Sequence, residues 1–309
     1  MTTPTMPDLK LTNINGMELE LYDTGGPGEP VVFVHGGMGD ECYAVIQEPA
    51  LTERFRVIHY MRRGWGNSTT DGLPLTIAQQ AEDCRAVMRH LGIEKAHLAG
   101  LSYGATILLQ FAGDFPEAVH TLGLLEPGLP SVLEASAEYG EATAAAGALL
   151  EAGDLEGGLN ALFETIAPGF RITFDATLPA GWYECWLADC ERALFPHDVP
   201  ELNVWQFTGE DAAKITAPVL NVTGAKTASF FTDIHETVQQ WISHAERARR
   251  PGLHPRHAGG ATEGLRRTPR GLLRPSLDGE VIASCRRASW RGPIATPQLR
   301  YPRALNHPV

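Results

Sequence analysis

His97-Leu98-Ala99-Gly100-Leu101-Ser102-Tyr103-Gly104-Ala105-Thr106 joins an apolar run to a helical pattern that starts at once, with Ala105, Ile107, Leu108, Leu109 and Phe111. Strand, tight turn and helix follow one another, with a serine at the apex. Such a turn holds the serine in a strained backbone conformation and lifts its hydroxyl clear of the sheet. Gly100 and Gly104 are required because a side chain at either position would meet the neighbouring strand or helix. Ser102 is therefore the candidate nucleophile. The alternative is a serine in an ordinary glycine-rich turn.

The flanking chain repeats the same alternation. Leu9 to Asn15 and Met17 to Tyr22 alternate in polarity around Asn15-Gly16, a hairpin signal. Val31-Val32-Phe33-Val34 is a fully apolar strand that runs into His35-Gly36-Gly37-Met38-Gly39. Phe55 to Tyr60 is another, followed by Arg62-Arg63-Gly64-Trp65-Gly66-Asn67-Ser68. Thr76 caps a helix to about His90, with Ile77, Ala81, Cys84, Val87 and Met88 at helical spacing. Thr121 to Leu125 is a strand ending at Glu126, and Pro218 to Gly224 is another, before a helix from about Asp233 to Ile242. Strands alternating with helices predict an α/β fold with a doubly wound, mostly parallel sheet. Functional groups in such sheets gather at the carboxyl ends of strands, where Gly37, Ser102 and Glu126 all fall.

Between residues 129 and 213 the core pattern is interrupted. Ser131 to Gly153, Leu155 to Ala167 and Trp182 to Leu194 read as helices. This is a helical cap inserted between a first core segment (9–128) and a second (214–246). Asp233 is expected to cap the helix it begins. Trp182, Tyr183, Trp186, Phe195, Trp205 and Phe207 form an apolar roof over the strand ends or pack the cap's own interior.

The net charge of −12 is unevenly spread. Residues 1–246 hold 12 basic and 34 acidic side chains, whereas 247–309 hold 13 arginines, no lysine and 3 acids. An acidic body argues against a nucleic-acid partner. No apolar run reaches the length of a membrane span, and no signal-peptide pattern is present, so a cytoplasmic location is expected. The five cysteines lack metal spacing and read as free thiols.

The His35-Gly36-Gly37 turn, the Arg62 to Ser68 loop, Gly100-Leu101-Ser102-Tyr103-Gly104, Phe115-Pro116-Glu117-Ala118-Val119 and Ala217-Pro218-Val219-Leu220 together resemble the α/β-hydrolase superfamily in its capped branch. The resemblance covers roughly residues 15 to 245. It implies that Ser102 attacks a carbonyl while the backbone N–H groups of Gly37 and Tyr103 hold the oxyanion. His35 and the Arg62 loop are structural in the family. Most members carry an acid just after the strand equivalent to Val219–Val222, but the turn from Gly224 to Ser229 has none. Some carry it one strand earlier, which points to Glu126, with Asp233 as the fallback. The resemblance also implies a final strand and a histidine loop. Instead the chain reads Arg247-Ala248-Arg249-Arg250-Pro251-Gly252-Leu253-His254-Pro255-Arg256-His257, through which no strand is expected. His254 is taken as the base, with His257 next and His307 last. The tail 247–309 is read as disordered or translated out of frame; one permitted codon choice for 250–257, shifted by a nucleotide, spells Val-Pro-Gly-Ser-Thr-His-Ala-Met. A basic arm for nucleic acid or acidic membrane is the other reading of the tail, ranked low.

The activity implied is hydrolysis of a small apolar carboxylic ester or lactone, with no metal or cofactor and no nucleic-acid or membrane partner. A serine nucleophile, rather than aspartate, argues against epoxide hydrolases and dehalogenases. Carbon–carbon bond hydrolysis, peracid formation, or an inactive ligand-binding fold stay open, as does the oligomeric state. Loss of the last strand would bare the edge of the Val219–Val222 strand and predicts poor solubility.

Overall fold

A computed structural model describes residues 7–39, 41–69, 75–170, 182–225 and 227–250. Among them, eight strands form one sheet: β1 (Lys10–Ile14), β2 (Met17–Asp23), β3 (Glu29–Val34), β4 (Phe55–Tyr60), β5 (Ala96–Leu101), β6 (Val119–Leu125), β7 (Val219–Gly224) and β8 (Glu246–Arg250). Their order is β1-β2-β4-β3-β5-β6-β7-β8. β2 runs antiparallel to both β1 and β4, and every other pairing is parallel. The β1–β2 hairpin turns through Asn15 and Gly16, both at positive φ (55° and 87°), as a tight two-residue turn requires. Val31, Val32 and Val34 in β3 are fully buried because helices cover both faces of a parallel sheet.

The chain goes from β3 to β4 on one side and then crosses to β5 on the other. That reversal opens a crevice at the carboxyl ends of β3 and β5, where doubly wound sheets bind ligands. Six helices of eight residues or more surround the sheet among the described residues: α1 (Ile77–His90), α2 (Tyr103–Asp114), α3 (Ala137–Glu151), α4 (Leu155–Ile166), α5 (Trp182–Asp189) and α6 (Ser229–Trp241). Thr76 caps α1 by accepting a hydrogen bond from the Gln79 N–H. α2 is apolar nearly all round and buried to match, with Ile107, Leu108, Leu109 and Phe111 wholly inaccessible.

Three helix expectations change at their ends. Residues 131–153 divide into a short turn (Pro130–Leu133) and α3, which Ser136 caps by accepting from Tyr139 N–H. α5 stops at Asp189 and continues as wider π-type turns through Asp198; Pro196 lies inside them and has no N–H to give to an α-helical ladder. α6 starts at Ser229, after Ala228, so Asp233 lies inside the helix instead of capping it, and is exposed.

The largest correction concerns the arginine-rich segment. Glu246–Arg250 is strand β8, paired in parallel with Leu220–Gly224, so the core extends past residue 246 and the β7 edge is covered. Loss of that strand therefore gives no reason for poor solubility. The strand is possible because pairing needs only the backbone, and charged side chains suit a sheet edge. Arg247 also forms a two-pronged pair with Glu236 of α6, at 2.8 and 3.1 Å. His254, His257, His307 and Cys285 lie outside the described residues. Among those described, no helix is long and apolar enough to cross a membrane.

In the loop after β4, Arg63 forks onto Asp83 of α1 at 2.6 and 2.7 Å, with both side chains at most 5 % exposed. Asp83→Ala leaves a buried guanidinium without its carboxylate and is expected to cost about 3–5 kcal/mol. Urea unfolding read by circular dichroism checks this, and a midpoint equal to wild type would refute it.

Candidate active site

Ser102 caps the start of α2 at φ 52°, ψ −123°, a conformation that non-glycine residues rarely adopt. Its N–H donates to Leu125 O of the adjacent β6 (2.8 Å) and its carbonyl accepts from Thr106 N–H (3.1 Å). The two glycines of the turn are explained by their neighbours. A Cβ on Gly100 would lie 2.6 Å from the Gly104 carbonyl carbon. One on Gly104 would collide with Val34 O and lie 2.6 Å from His35 O. Helix α2 can thus pass against β5 and β3 only without side chains at Gly100 and Gly104 respectively, and the serine between them is left at the crest of the turn.

The loop after β3 meets this serine directly. A Cβ on Gly36 would lie 3.0 Å from Ser102 Cβ and 2.9 Å from Glu41 Oε1, which places the Glu41 carboxyl within about 6 Å of Ser102 Cβ. His35 is fully buried and burial drives its pKa well below the usual value, so the ring is neutral. Arg62 N–H donates to His35 Nε2 (2.9 Å); the proton therefore sits on Nδ1 and is given to Gly36 O (2.9 Å). His35 is thereby committed to holding the loop, and the expectation that it is structural agrees with its bonding.

Arg62 completes the cradle. Its Nη2 donates to Gly36 O (2.9 Å) and its Nε to His35 O (3.1 Å). The guanidinium is itself held by Asp198, 136 residues away, at 2.7 and 3.2 Å, with both side chains 1 % exposed. Trp65 Nε1–H also donates to Asp198 (3.2 Å). From the same insertion, Trp186 Nε1–H donates to Gly37 O (2.9 Å). Of the expected aromatic roof, Trp186 reaches the candidate oxyanion loop. Trp205 and Phe207 stack on each other, and Trp205 bonds Gln110 on α2 instead.

Glu126 follows β6 at φ 50°, another strained non-glycine position. Its Oε1 accepts from Gly224 N–H (2.8 Å) and Thr223 Oγ1–H (3.3 Å), and the Thr227 hydroxyl also bonds the carboxyl. The carboxylate thus sits against the end of β7, where the sequence lacks the family's usual acid. Burial raises its pKa above 4.5, although these hydrogen bonds oppose the shift. The native state then keeps a proton that the unfolded chain has already lost. Its contribution to stability is full below the unfolded value and falls as pH rises through the raised native value. Glu126→Gln, which keeps an acceptor for Gly224 N–H, is expected to gain stability relative to wild type as pH goes from 4 to 7.5. Melting temperatures of both proteins across that range test this; a constant difference would count against a buried, proton-retaining Glu126.

Tyr103, the other expected oxyanion donor, is the first residue of α2. Its ring packs on the Arg62 guanidinium (4.8 Å), and its hydroxyl accepts from Gln80 Nε2–H (3.4 Å). Glu126, Gly37 and Tyr103 therefore stand with Ser102 where β6, β3 and β5 end, whereas Asp233 is an exposed residue inside α6. Among the described residues no imidazole is hydrogen-bonded to the Ser102 hydroxyl. Nor do three His, Cys, Asp or Glu side chains cluster there as metal ligands. Glu41, Asp198 and the Trp186 contact escaped the sequence reading. Glu41 stands in an irregular loop, and Asp198 meets Arg62 only through the tertiary fold.

Known proteins share this fold. The profile of the α/β hydrolase fold family matches residues 29–164. A candidate carbamate hydrolase, RutD of Caulobacter vibrioides, is 36% identical over 121 residues, which cover 38% of this chain and 44% of that protein. The matched stretch thus spans less than half the length of this curated relative. An α/β hydrolase from Sphaerobacter thermophilus superposes with a TM-score of 0.61 at 21% identity, covering 77% of this chain and 91% of the other. The enol-lactonase from Burkholderia xenovorans gives 0.56 at 21% identity, covering 77% and 89%. The matched residues run from β3 through the candidate oxyanion loop and the serine turn into the insertion, and the sheet beneath them has the architecture of these solved structures: the chain has the α/β-hydrolase fold.

Proposed function

We propose that the chain is a serine hydrolase that cleaves a small, apolar carboxylic ester or lactone through an acyl-enzyme on Ser102. The observation that carries this reading is the strained Ser102 apex, with the Gly36-Gly37 loop packed against it at the switch point of the sheet. Ser102 Oγ attacks the carbonyl carbon, and the electron pair of the C=O moves onto oxygen. The N–H groups of Gly37 and Tyr103 receive that oxyanion, and its collapse expels the alcohol. Water then repeats the sequence on the acyl-enzyme. The proposed base is His254, oriented by Glu126; it takes the Ser102 proton and returns it to the leaving oxygen. The carbonyl substrates named for the two relatives, a carbamate and an enol-lactone, support this class. The helical insertion over residues 129–213 acts as the cap and supplies the apolar cover.

The test is turnover of p-nitrophenyl acetate and of a short-chain lactone by the purified chain. Acetate release above the spontaneous rate, with saturation, supports the reading. A well-folded chain with no turnover on either substrate moves the protein to the ligand-binding alternative.

A further inference from the structure

The two peptide groups that flank Gly37 are both held by the insertion between β6 and β7. On one side, Gly36 O accepts from Arg62 Nη2, and Arg62 is locked by the buried Asp198. On the other, Gly37 O accepts from Trp186 Nε1. A trans peptide is planar, so its N–H points opposite to its C=O. Fixing Gly36 O therefore fixes where the Gly37 N–H points, and fixing Gly37 O sets the rotation of the next peptide. A lone glycine loop has no such constraint of its own. Burial of the Arg62–Asp198 pair costs desolvation that a pair on the surface would not, and its geometry spends that cost on two carbonyls of the loop, Gly36 O and His35 O.

We propose that Asp198 and Trp186 are positioning residues for the oxyanion donor Gly37, so that the donor is aimed only when the cap is seated. The proposal rests on the reading of Gly37 as an oxyanion donor. Asp198 acts through Arg62 and Gly36 O, and Trp186 acts directly on Gly37 O. Neither touches the reacting atoms. Cap and chemistry are thereby joined: displacement of the cap frees Gly37 O from Trp186 and Arg62 from its Asp198 anchor, leaving Gly36 O to His35 Nδ1–H and an unanchored Arg62, and lets the donor turn away. Arg62 is occupied on every side by His35, Gly36, Gln80 and Asp198, so it serves as the strut between cap and loop and is not free to grip substrate.

Asp198→Asn and Trp186→Phe test this in the full chain, with Trp205→Phe as the control. Trp205 also joins the insertion to the core, through Gln110, but touches neither loop carbonyl. Two readouts are taken: the Gly37 amide resonance in protein labelled with ¹⁵N-glycine, and kcat and KM on p-nitrophenyl acetate. Asp198→Asn and Trp186→Phe are each expected to move the Gly37 resonance. Each should lower kcat by about 10- to 100-fold with KM within about twofold, since misplacing a donor weakens the transition state more than the ground state. Trp205→Phe leaves both readouts as in wild type. An unmoved Gly37 resonance in a folded Trp186→Phe protein overturns the proposal, as does an unchanged kcat in both variants. Should Asp198→Asn fail to fold, Trp186→Phe decides alone. If Gly37 moves but wild-type protein turns over no ester, the hydrolase reading fails while the link from cap to loop stands.

Discussion

Ser102→Ala is expected to abolish stoichiometric capture of a fluorophosphonate probe, seen as loss of the mass increment on the intact chain. Ester turnover should fall by at least about 10⁴-fold, the scale on which loss of a triad nucleophile is felt. The folded state should hardly notice. The Ser102 backbone bonds to Leu125 and Thr106 are kept, and alanine carries the same Cβ in the same φ 52° conformation. A melting temperature within a few degrees of wild type is therefore expected beside the lost chemistry. Undiminished labelling of the alanine variant would place the nucleophile elsewhere.

Gly104→Ala is expected to do the reverse, removing the fold before the chemistry can be asked about. The new Cβ would meet Val34 O and lie 2.6 Å from His35 O and 2.7 Å from the Val34 carbonyl carbon. All three are backbone atoms of β3 or its end, fixed by pairing to β4 and β5, so no side chain can swing aside. The cost is about 4 kcal/mol or more, at the extreme of overpacking, and insoluble or unfolded protein is the expected outcome. Gly147→Ala calibrates it. Gly147 lies in α3 with nothing within 4 Å of an added Cβ, and there alanine should gain about 0.5–1 kcal/mol from helix propensity. Equal urea midpoints for the two variants would mean that the close approach at Gly104 can relax.

These two substitutions separate what the sequence by itself determined from what it left to the fold. The apolar run before Gly100 and the helical spacing after it were enough to read strand, turn and helix around Ser102. A residue carries its strand or helix period wherever it ends up, and a glycine requirement between two such runs is local. The same local logic placed Gly37 and Glu126 at strand ends and Thr76 at a helix start. It failed at α6, whose start has no polar cap and so could not be recognised, and at Pro196, where wide turns replace an expected helix.

β8 failed for a different reason. Its run of arginines has no apolar alternation, because an edge strand needs only backbone partners, and the partner strand lies outside any local window. The Asp198–Arg62–Gly36 cradle lies further still from sequence. Nothing in Pro196-His197-Asp198-Val199 marks the aspartate as a partner for Arg62; only the folding of the insertion over the sheet brings them to 2.7 Å. Sequence settled which residues could form strands and which serine stood at a turn, since those follow from neighbours along the chain. The tertiary structure alone decided which carbonyls are held and by what, because hydrogen bonds between distant residues have no footprint until the chain has folded.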